Sequence, residues 1–490
     1  MNKVYLPLFF TFLFTTLNAQ DKAILHSQKT LDSVGWMIKD GLDLPGLAFG
    51  LVLDDKVYYT NAFGMRNIEE QTPLKTSSLF HMASVSKPFV ATAVLKLQED
   101  GKIKLEDQLV DHLPYFKMKD QRYKEITIKQ LLNHTSGIPD VQDYEWDKAQ
   151  YDDQAAERYT KSFVNDSLDF KPGAEFSYSN AAYDILADVI AKATGLTFEA
   201  YMSKAIFEPL QMANSTFLKA EVPDNLATHP HEWNETLQMK VMEIYPYNRI
   251  HAPSSTLHSN VDDMLKWALL NLHHGMNGQT SIYSKQTYQL LTTPTWNFTE
   301  TRAMCLGWFT TEIDGQIMYY HYGGDEGYRT FFAFFPDQKA AITLMGNSDY
   351  LTNGGTVPHL IKKFITNQPS TWKQSIQFKL KDLILTEGID SCKAFYYQVQ
   401  KHQEEQYDLG SGNIDQLGYW LLDRAHKEKA LEVFLFNIEL NPEHAGFHDS
   451  VGDAYQAMNQ TSKAIEWYEK ALKINPEQDF TIEKLKKIKG

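Results

Sequence analysis

A serine followed three residues later by a lysine can make a nucleophile without histidine, provided a helix brings the two side chains together. Ser84-Val85-Ser86-Lys87 has that spacing. It precedes Phe89, Ala93, Val94 and Leu97, an apolar stripe at helical intervals that stops at Gly101. Ser84 and Lys87 therefore fall on one face at a helix N-terminus. There the helix dipole disfavours an ammonium and stabilises negative charge, which lowers the lysine pKa and favours an oxyanion. Pro88 is harmless within a first turn, where backbone N–H groups lack intrahelical partners. The same spacing at Ser370-Thr371-Trp372-Lys373 is accidental by its position.

Two more triplets complete the set. Tyr178-Ser179-Asn180 opens a helix, and His321-Tyr322-Gly323 lies on a strand before the last hairpin. Neither is specific alone: Tyr-x-Asn recurs at Tyr59, and His-x-Gly at His273 and His444. Their order is specific, because one assignment alone places a helix-start pair, a mid-chain helix-start triplet and a strand-borne triplet in succession. Asp325 and Glu326 beside the third triplet are either solvated loop acids or selectors of a cationic substrate. The aromatic, acidic stretch from Tyr144 to Tyr159 is either a lid or a long surface loop. His229, His231, His251, His258, His273 and His274 form no metal-binding spacing, so no metal and no cofactor are expected.

The elements that must hold these residues are legible in outline. Gly46 to Leu53 and Val57 to Gly64 read as strands joined by a turn at Asp54-Asp55-Lys56. Tyr328 to Phe335 and Ala340 to Met345 read as a closing hairpin around Pro336-Asp337-Gln338. Strands at both ends with helices between predict one α/β domain whose antiparallel sheet joins its ends. Asn180 to Thr194 and Val261 to Leu272 are predicted helices, the first stopped by Gly195. The whole chain has 490 residues, enough for two to four domains, and 43% hydrophobic residues rule out wholesale disorder. With 47 basic against 62 acidic residues and no basic stripe, nucleic-acid binding is excluded. Cys305 and Cys392 are too few for a disulfide scaffold; they either pair or remain two buried thiols, and the thiols are favoured.

Lys3, the charge-free run Val4 to Leu17 and Ala19 read as a cleaved secretory signal over 1–19, which predicts a secreted or periplasmic protein. As a helix the run spans about 21 Å, short of the roughly 30 Å of a bilayer core. No cysteine follows it, so a lipid anchor is not supported, and no membrane span is expected in the mature chain. A boundary is expected near 367, ending a 20–366 domain and opening a helical region over 367–490. Within the latter, Gly418, Ala430, Asn441, Pro442 and Glu443 recur 34 residues later as Gly452, Ala464, Asn475, Pro476 and Glu477. That period is the tetratricopeptide repeat's, with clear copies at about 412–445 and 446–479. Two copies are fewer than a free-standing array needs. A degenerate hairpin at about 374–405 and a cap from Phe480 to Ile488 are therefore expected. The repeats either dock a protein partner or buttress the first domain.

The ordered triplets resemble those of the serine β-lactamase and penicillin-recognising superfamily, in particular its class C β-lactamase-related branch. Leu131-Leu132-Asn133-His134-Thr135-Ser136-Gly137 is similar to a conspicuous stretch of that branch. So are Pro172-Gly173, Phe176, Tyr183, Gly195, Pro209-Leu210, Met212 and Asp337 in their spacing. The resemblance covers about 27–365. It implies a β-lactamase/transpeptidase-like α/β fold, an antiparallel sheet flanked by helices with a helical subdomain, ahead of the all-α repeat region. It implies Ser84 as acyl-accepting nucleophile, Lys87 as general base and Tyr178 as partner in proton transfer. Asn180 would hold a substrate amide or orient Lys87. His321 and Gly323 would belong to the substrate strand, and the backbone N–H groups of Ser84 and Gly324 would form the oxyanion hole. With Lys87 and Tyr178 in those roles, His134 is a turn residue rather than a base.

One departure matters. β-Lactamases of this branch usually carry Lys-Thr-Gly where this chain has His321-Tyr322-Gly323. A histidine is mostly neutral at pH 7 and supplies no fixed cation for a substrate carboxylate. The bulk of Tyr322 is expected to narrow or reshape the site. The reading is a serine hydrolase acting through an acyl-enzyme on a small ester, peptide or amide. A β-lactamase or D,D-carboxypeptidase is the alternative within the enzyme class. A low-turnover ligand sensor whose repeats dock a partner is the alternative outside it.

Overall fold

The computed structural model describes residues 27–234, 238–349, 356–366, 373–402 and 406–489. The expected signal over 1–19, the boundary near 367 and Ser370 of the second Ser-x-x-Lys fall outside them. The first hairpin, Gly46–Leu53 and Lys56–Asn67, turns through Asp54 and Asp55, whose φ values of 51° and 60° are left-handed. Paired left-handed residues are what a tight hairpin turn demands, and Asp tolerates them. The closing hairpin is Tyr328–Phe335 and Ala340–Gly346. Its last strand pairs antiparallel with the first, Leu47 opposite Gly346 and Leu51 opposite Ile342, so residues far apart in sequence close one sheet. Among the described residues that sheet has nine strands. The strand of the third triplet, Gln316–Asp325, lies beside Tyr328–Phe335 within it.

Strand alternation sorts the apolar side chains to two cores. Phe332 and Phe334 face one side with Phe89, Val94, Ile185, Leu186 and Trp267. Phe331, Ala333 and Phe335 face the other with Phe49, Leu51, Ile342 and Leu344. A sheet covered on both faces explains why its central strands read as continuous apolar runs. The first core carries the helices that hold the chemistry. Ser86–Glu99 is buried along nearly its whole length, with Phe89 stacked on Trp267 at 3.9 Å between ring centroids. Asn180–Thr194 is capped by Ser179, which accepts from the Ala182 N–H, and ends at Gly195 with φ 73°. Val261–Leu272 lies so close to the first strand that a Cβ at Gly50 would meet a Val261 methyl at 2.6 Å.

The second core does not stop at the sheet. It runs through Leu360 and Phe364 into Ile376, Leu380, Ile414, Leu417, Trp420, Phe434 and Val451 of the C-terminal helices. These helices are Ile376–Thr386, Ile389–His402, Ser411–Asp423, Lys427–Leu440, Ala445–Ala457, Thr461–Ile474 and Asp479–Lys489. The first pair occupies the segment expected to be a degenerate hairpin, and the last is the cap. The repeat has a simple interlock. A Cβ at Gly418 would meet the Phe434 ring at 2.2 Å, and one at Gly452 the Tyr468 ring at 2.4 Å. Glycine on one helix receives the aromatic face of the next, in both copies.

Polar contacts reinforce the join. Lys381 of the tail pairs with Asp43 at 2.7 Å and lies 3.8 Å from the centroid of Trp233, which belongs to the short hairpin His231–Trp233 and Met239–Val241. Arg424 donates from Nε to the Trp233 carbonyl at 3.0 Å. Cys305 and Cys392 are separate buried thiols, one in each core, and burial pushes both up to about 12. Among the described residues no helix is long and apolar enough to cross a membrane.

Candidate active site

The turn that carries Ser84 is built under strain. Phe80–His81 pairs with His258–Ser259, and the Met82 N–H donates to Leu257 at 2.7 Å, fixing the chain just before the turn. Ala83 then takes φ 47°, unusual for a residue with a Cβ, and Ser84 follows in a single 3₁₀ turn that feeds Ser86–Glu99. Lys87 is completely buried. Its Nζ lies 2.9 Å from Ser84 Oγ, 2.6 Å from Asn180 Oδ1 and 2.8 Å from the Ser254 carbonyl. Burial lowers its pKa to about 8, against the opposing pull of Asp184, Asp325 and Asp140. The amide and carbonyl oxygens can only accept hydrogen bonds, whereas the Ser84 hydroxyl can donate one. A neutral Lys87 therefore satisfies the two fixed acceptors and turns its lone pair to Ser84.

Asn180 sits at the start of its helix with both ends of its amide occupied. Its backbone N–H and Nδ2 donate to Asp140 at 2.6 and 3.3 Å, which leaves Oδ1 for Lys87. Tyr178 shares a hydrogen bond with the Ser84 hydroxyl, and burial pushes its phenol far above the usual range, so it stays protonated. Its ring stacks on His134 at 4.2 Å. His134 has φ 59° and accepts the Ser179 N–H on Nδ1 at 3.1 Å. Burial holds its pKa well below 6.5. His134 thus shapes the turn that presents Tyr178, as a neutral ring.

The strand of the third triplet presses on the turn that carries Ser84. A Cβ at Gly323 would lie 2.3 Å from the Met82 carbonyl and 2.2 Å from Thr330 Oγ1, so no side chain fits there. Alternation places His321 on the same face, within 6.3 Å of the Tyr178 ring and 5.4 Å of Phe309. Burial and Lys87 lower its pKa to about 3, so it is uncharged. Gly324 follows, opposite Arg329 in the sheet. Tyr322 departs from expectation. It points to the opposite face, packs on Tyr320 and Phe331, and is 42% exposed, so it does not narrow the site.

Some contributors were left open by the sequence, and others had no signature in it. Asp325, half of the pair left open between solvated acid and selector, is bound by His81 Nε2 at 2.6 Å and by the Ser255 hydroxyl. Asp184 accepts from Ser254 N–H at 3.2 Å and pairs with His251 at 2.7 Å, which steadies the carbonyl that Lys87 uses. Tyr144, Trp146 and Tyr159 surround the His251 ring edge-on, so the aromatic stretch is a wall of this region. The arrangement combines a hydroxyl, an adjacent base and a protonated phenol, which can acylate and deacylate a serine.

The chain matches the beta-lactamase family profile over residues 37–363 and the tetratricopeptide repeat profile over residues 445–478. It is 27% identical to "Protein flp" of Staphylococcus aureus (strain N315) across 69% of this chain and 67% of that protein. It is 37% identical to penicillin-binding protein 4* of Bacillus subtilis (strain 168), over 32% of this chain and 34% of that protein. In fold it is similar to the octameric penicillin-binding protein homologue from Pyrococcus abyssi. The TM-score is 0.61, with 22% identity, 73% of this chain and 81% of that chain covered.

Proposed function

We take as premise that the chain belongs to the beta-lactamase family, and propose that it hydrolyses an ester or amide through an acyl-enzyme on Ser84. The observation that carries the reading is Lys87, buried, lowered to about 8 and 2.9 Å from Ser84 Oγ. In this mechanism Lys87 takes the Ser84 proton as Oγ bonds the substrate carbonyl carbon. Charge gathers on the carbonyl oxygen, facing the backbone N–H groups of Ser84 and Gly324. Collapse breaks the bond to the leaving group, which takes the Tyr178 proton, and Lys87 restores that proton to Tyr178. Water then attacks the acyl carbon, giving its proton to Lys87, and Lys87 passes that proton to Ser84 Oγ as it departs, which restores the free hydroxyl and the neutral amine.

The uncharged His321 favours substrates without a carboxylate over β-lactams and D-Ala-D-Ala termini. The charge-free Val4 to Leu17 segment supports a place outside the cytoplasm. The test is covalent: a fluorophosphonate or activated ester should label Ser84, and Ser84→Ala should abolish both labelling and ester hydrolysis. Unchanged hydrolysis by that variant overturns the reading.

A further inference from the structure

Building on the acyl-enzyme reading, we infer that the buried pair His81–Asp325 is a positioning device for Lys87. It clamps the short helix Ala252–Ser255, whose Ser254 carbonyl Lys87 binds, to the strand that enters the Ser84 turn. A single helical turn gains little hold from its own hydrogen bonds. Two buried aspartates fasten this one instead. Asp184 accepts the Ser254 N–H at 3.2 Å on one oxygen and pairs with His251 at 2.7 Å through the other. Asp325 Oδ2 accepts from the Ser255 hydroxyl and from His81 Nε2, the latter at 2.6 Å. A carboxylate only accepts, so His81 donates from Nε2. The Ser254 carbonyl, 2.8 Å from Lys87 Nζ, thus stands between two fastenings.

Asp325 joins three elements at one oxygen. Ser255 belongs to the short helix, His81 to Phe80–His81, and Asp325 itself ends Gln316–Asp325, directly after Gly323 and Gly324. The His81 side chain is wholly buried and that of Asp325 is 9% exposed. The backbone beyond the helix keeps the register. The Leu257 N–H donates to Ser86 Oγ at 3.0 Å, and the Leu257 carbonyl accepts the Met82 N–H at 2.7 Å. Residues 254–257 therefore carry both the acceptor of Lys87 and the mooring of the Ser84 turn, and Asp325 ties them to the third triplet.

Asp325 also acts by charge. Lys87 is faced by Ser84, Asn180, the rings of Tyr178 and Tyr183, and the imidazoles of His134 and His321. The carboxylates of Asp184, Asp325 and Asp140 favour its protonated form, against burial. Around the pair, Tyr245, His258 and Tyr328 pack on the His81 ring, Arg329 donates to the Asp325 carbonyl at 2.6 Å, and Glu326 follows in sequence. Asp325→Asn keeps an oxygen acceptor for the two donors and removes the charge, whereas Ser255→Ala keeps the charge and removes one clasp.

The test is the pH profile of kcat/KM for 4-nitrophenyl acetate in the full chain, with fluorophosphonate labelling of Ser84 and urea unfolding of each variant. Asp325→Asn should move the acid limb down by about one pH unit, because Lys87 then loses its proton more readily. Ser255→Ala should leave the limb in place and lower kcat about fivefold. A limb that stays at about pH 8 in folded Asp325→Asn, with Ser84 still labelled, overturns this inference alone. An unchanged kcat in Ser255→Ala overturns it too, and decides the matter where Asp325→Asn does not fold. Failure to label Ser84 in the natural chain overturns the acyl-enzyme reading and this inference with it.

Discussion

The molecule buries a lysine on each side of its sheet; both lie over aromatic rings, and one of them also pairs with a carboxylate. Lys87, on the Ser84 side, touches three oxygens that carry no full charge, with the Tyr178 and Tyr183 rings 5.0 and 5.6 Å away. Lys381, on the tail side, touches the Asp43 carboxylate and the face of Trp233, both complementary to an ammonium. The difference teaches what each site is for. Polar but neutral partners leave burial to weaken the proton's hold, as a base requires; a carboxylate makes a fastening. The same contrast holds for the two cores. One surrounds a strained turn, and the other extends unbroken from the sheet into the repeats, so the inner tail helices act as a structural wall of the first domain.

The sharpest way to break this comparison is to remove each lysine. Lys87→Met should lower kcat for a neutral ester by about a thousandfold, within the range for loss of a general base. Lys381→Met should leave kcat within about threefold and lower stability by about 1–3 kcal/mol, read from urea unfolding. Equal effects on activity would erase the distinction.

pH gives the next largest effect. Lys87 must be unprotonated to act, so kcat/KM for a neutral ester should rise about tenfold per unit up to about pH 8 and level off above it. The sign for stability follows the same shift. Between about 8 and the ordinary lysine value near 10.4 the unfolded chain holds a proton that the folded chain has lost, so this group's contribution to stability rises with pH there. Lys381→Met should keep the rate profile, and Lys87→Met should lose it.

Glycines sharpen the contrast at smaller scale. Gly323→Ala would push a methyl into the Met82 carbonyl and displace the strand from Ser84, which should cost about tenfold in kcat/KM. Gly418→Ala meets the Phe434 ring instead, and should cost about 1–3 kcal/mol of stability with kcat unchanged. A differential scanning measurement beside an ester assay separates the two.

The sequence made Ser84, Lys87, Tyr178 and Asn180 legible because each stands at a helix start, and helix starts announce themselves through caps and apolar stripes. The repeat was legible because its glycine and aromatic positions recur. Asp140, Asp184 and Ser254 were not: Asp140 arrives on a loop, Asp184 reads as an ordinary polar residue inside the Asn180 helix, and Ser254, on the short helix Ala252–Ser255, offers Lys87 only a carbonyl, which every residue possesses. Tyr322 was misjudged for a different reason. Its bulk was weighed without the strand parity that seats His321 and Gly323 on one face and sends their neighbour to the other.

The strand Gly46–Leu53 lies between Lys56–Asn67 and Ala340–Gly346. During synthesis it emerges early and gains its first neighbour at once, but its other edge stays open until nearly the whole domain has been made. An apolar strand with a free edge invites pairing with other chains. Sheet closure of such long range is also slow. The second core adds to the wait, because its far wall is translated last. The nascent chain is thus most exposed to aggregation before its final helices appear, and a truncated product would keep that exposure permanently.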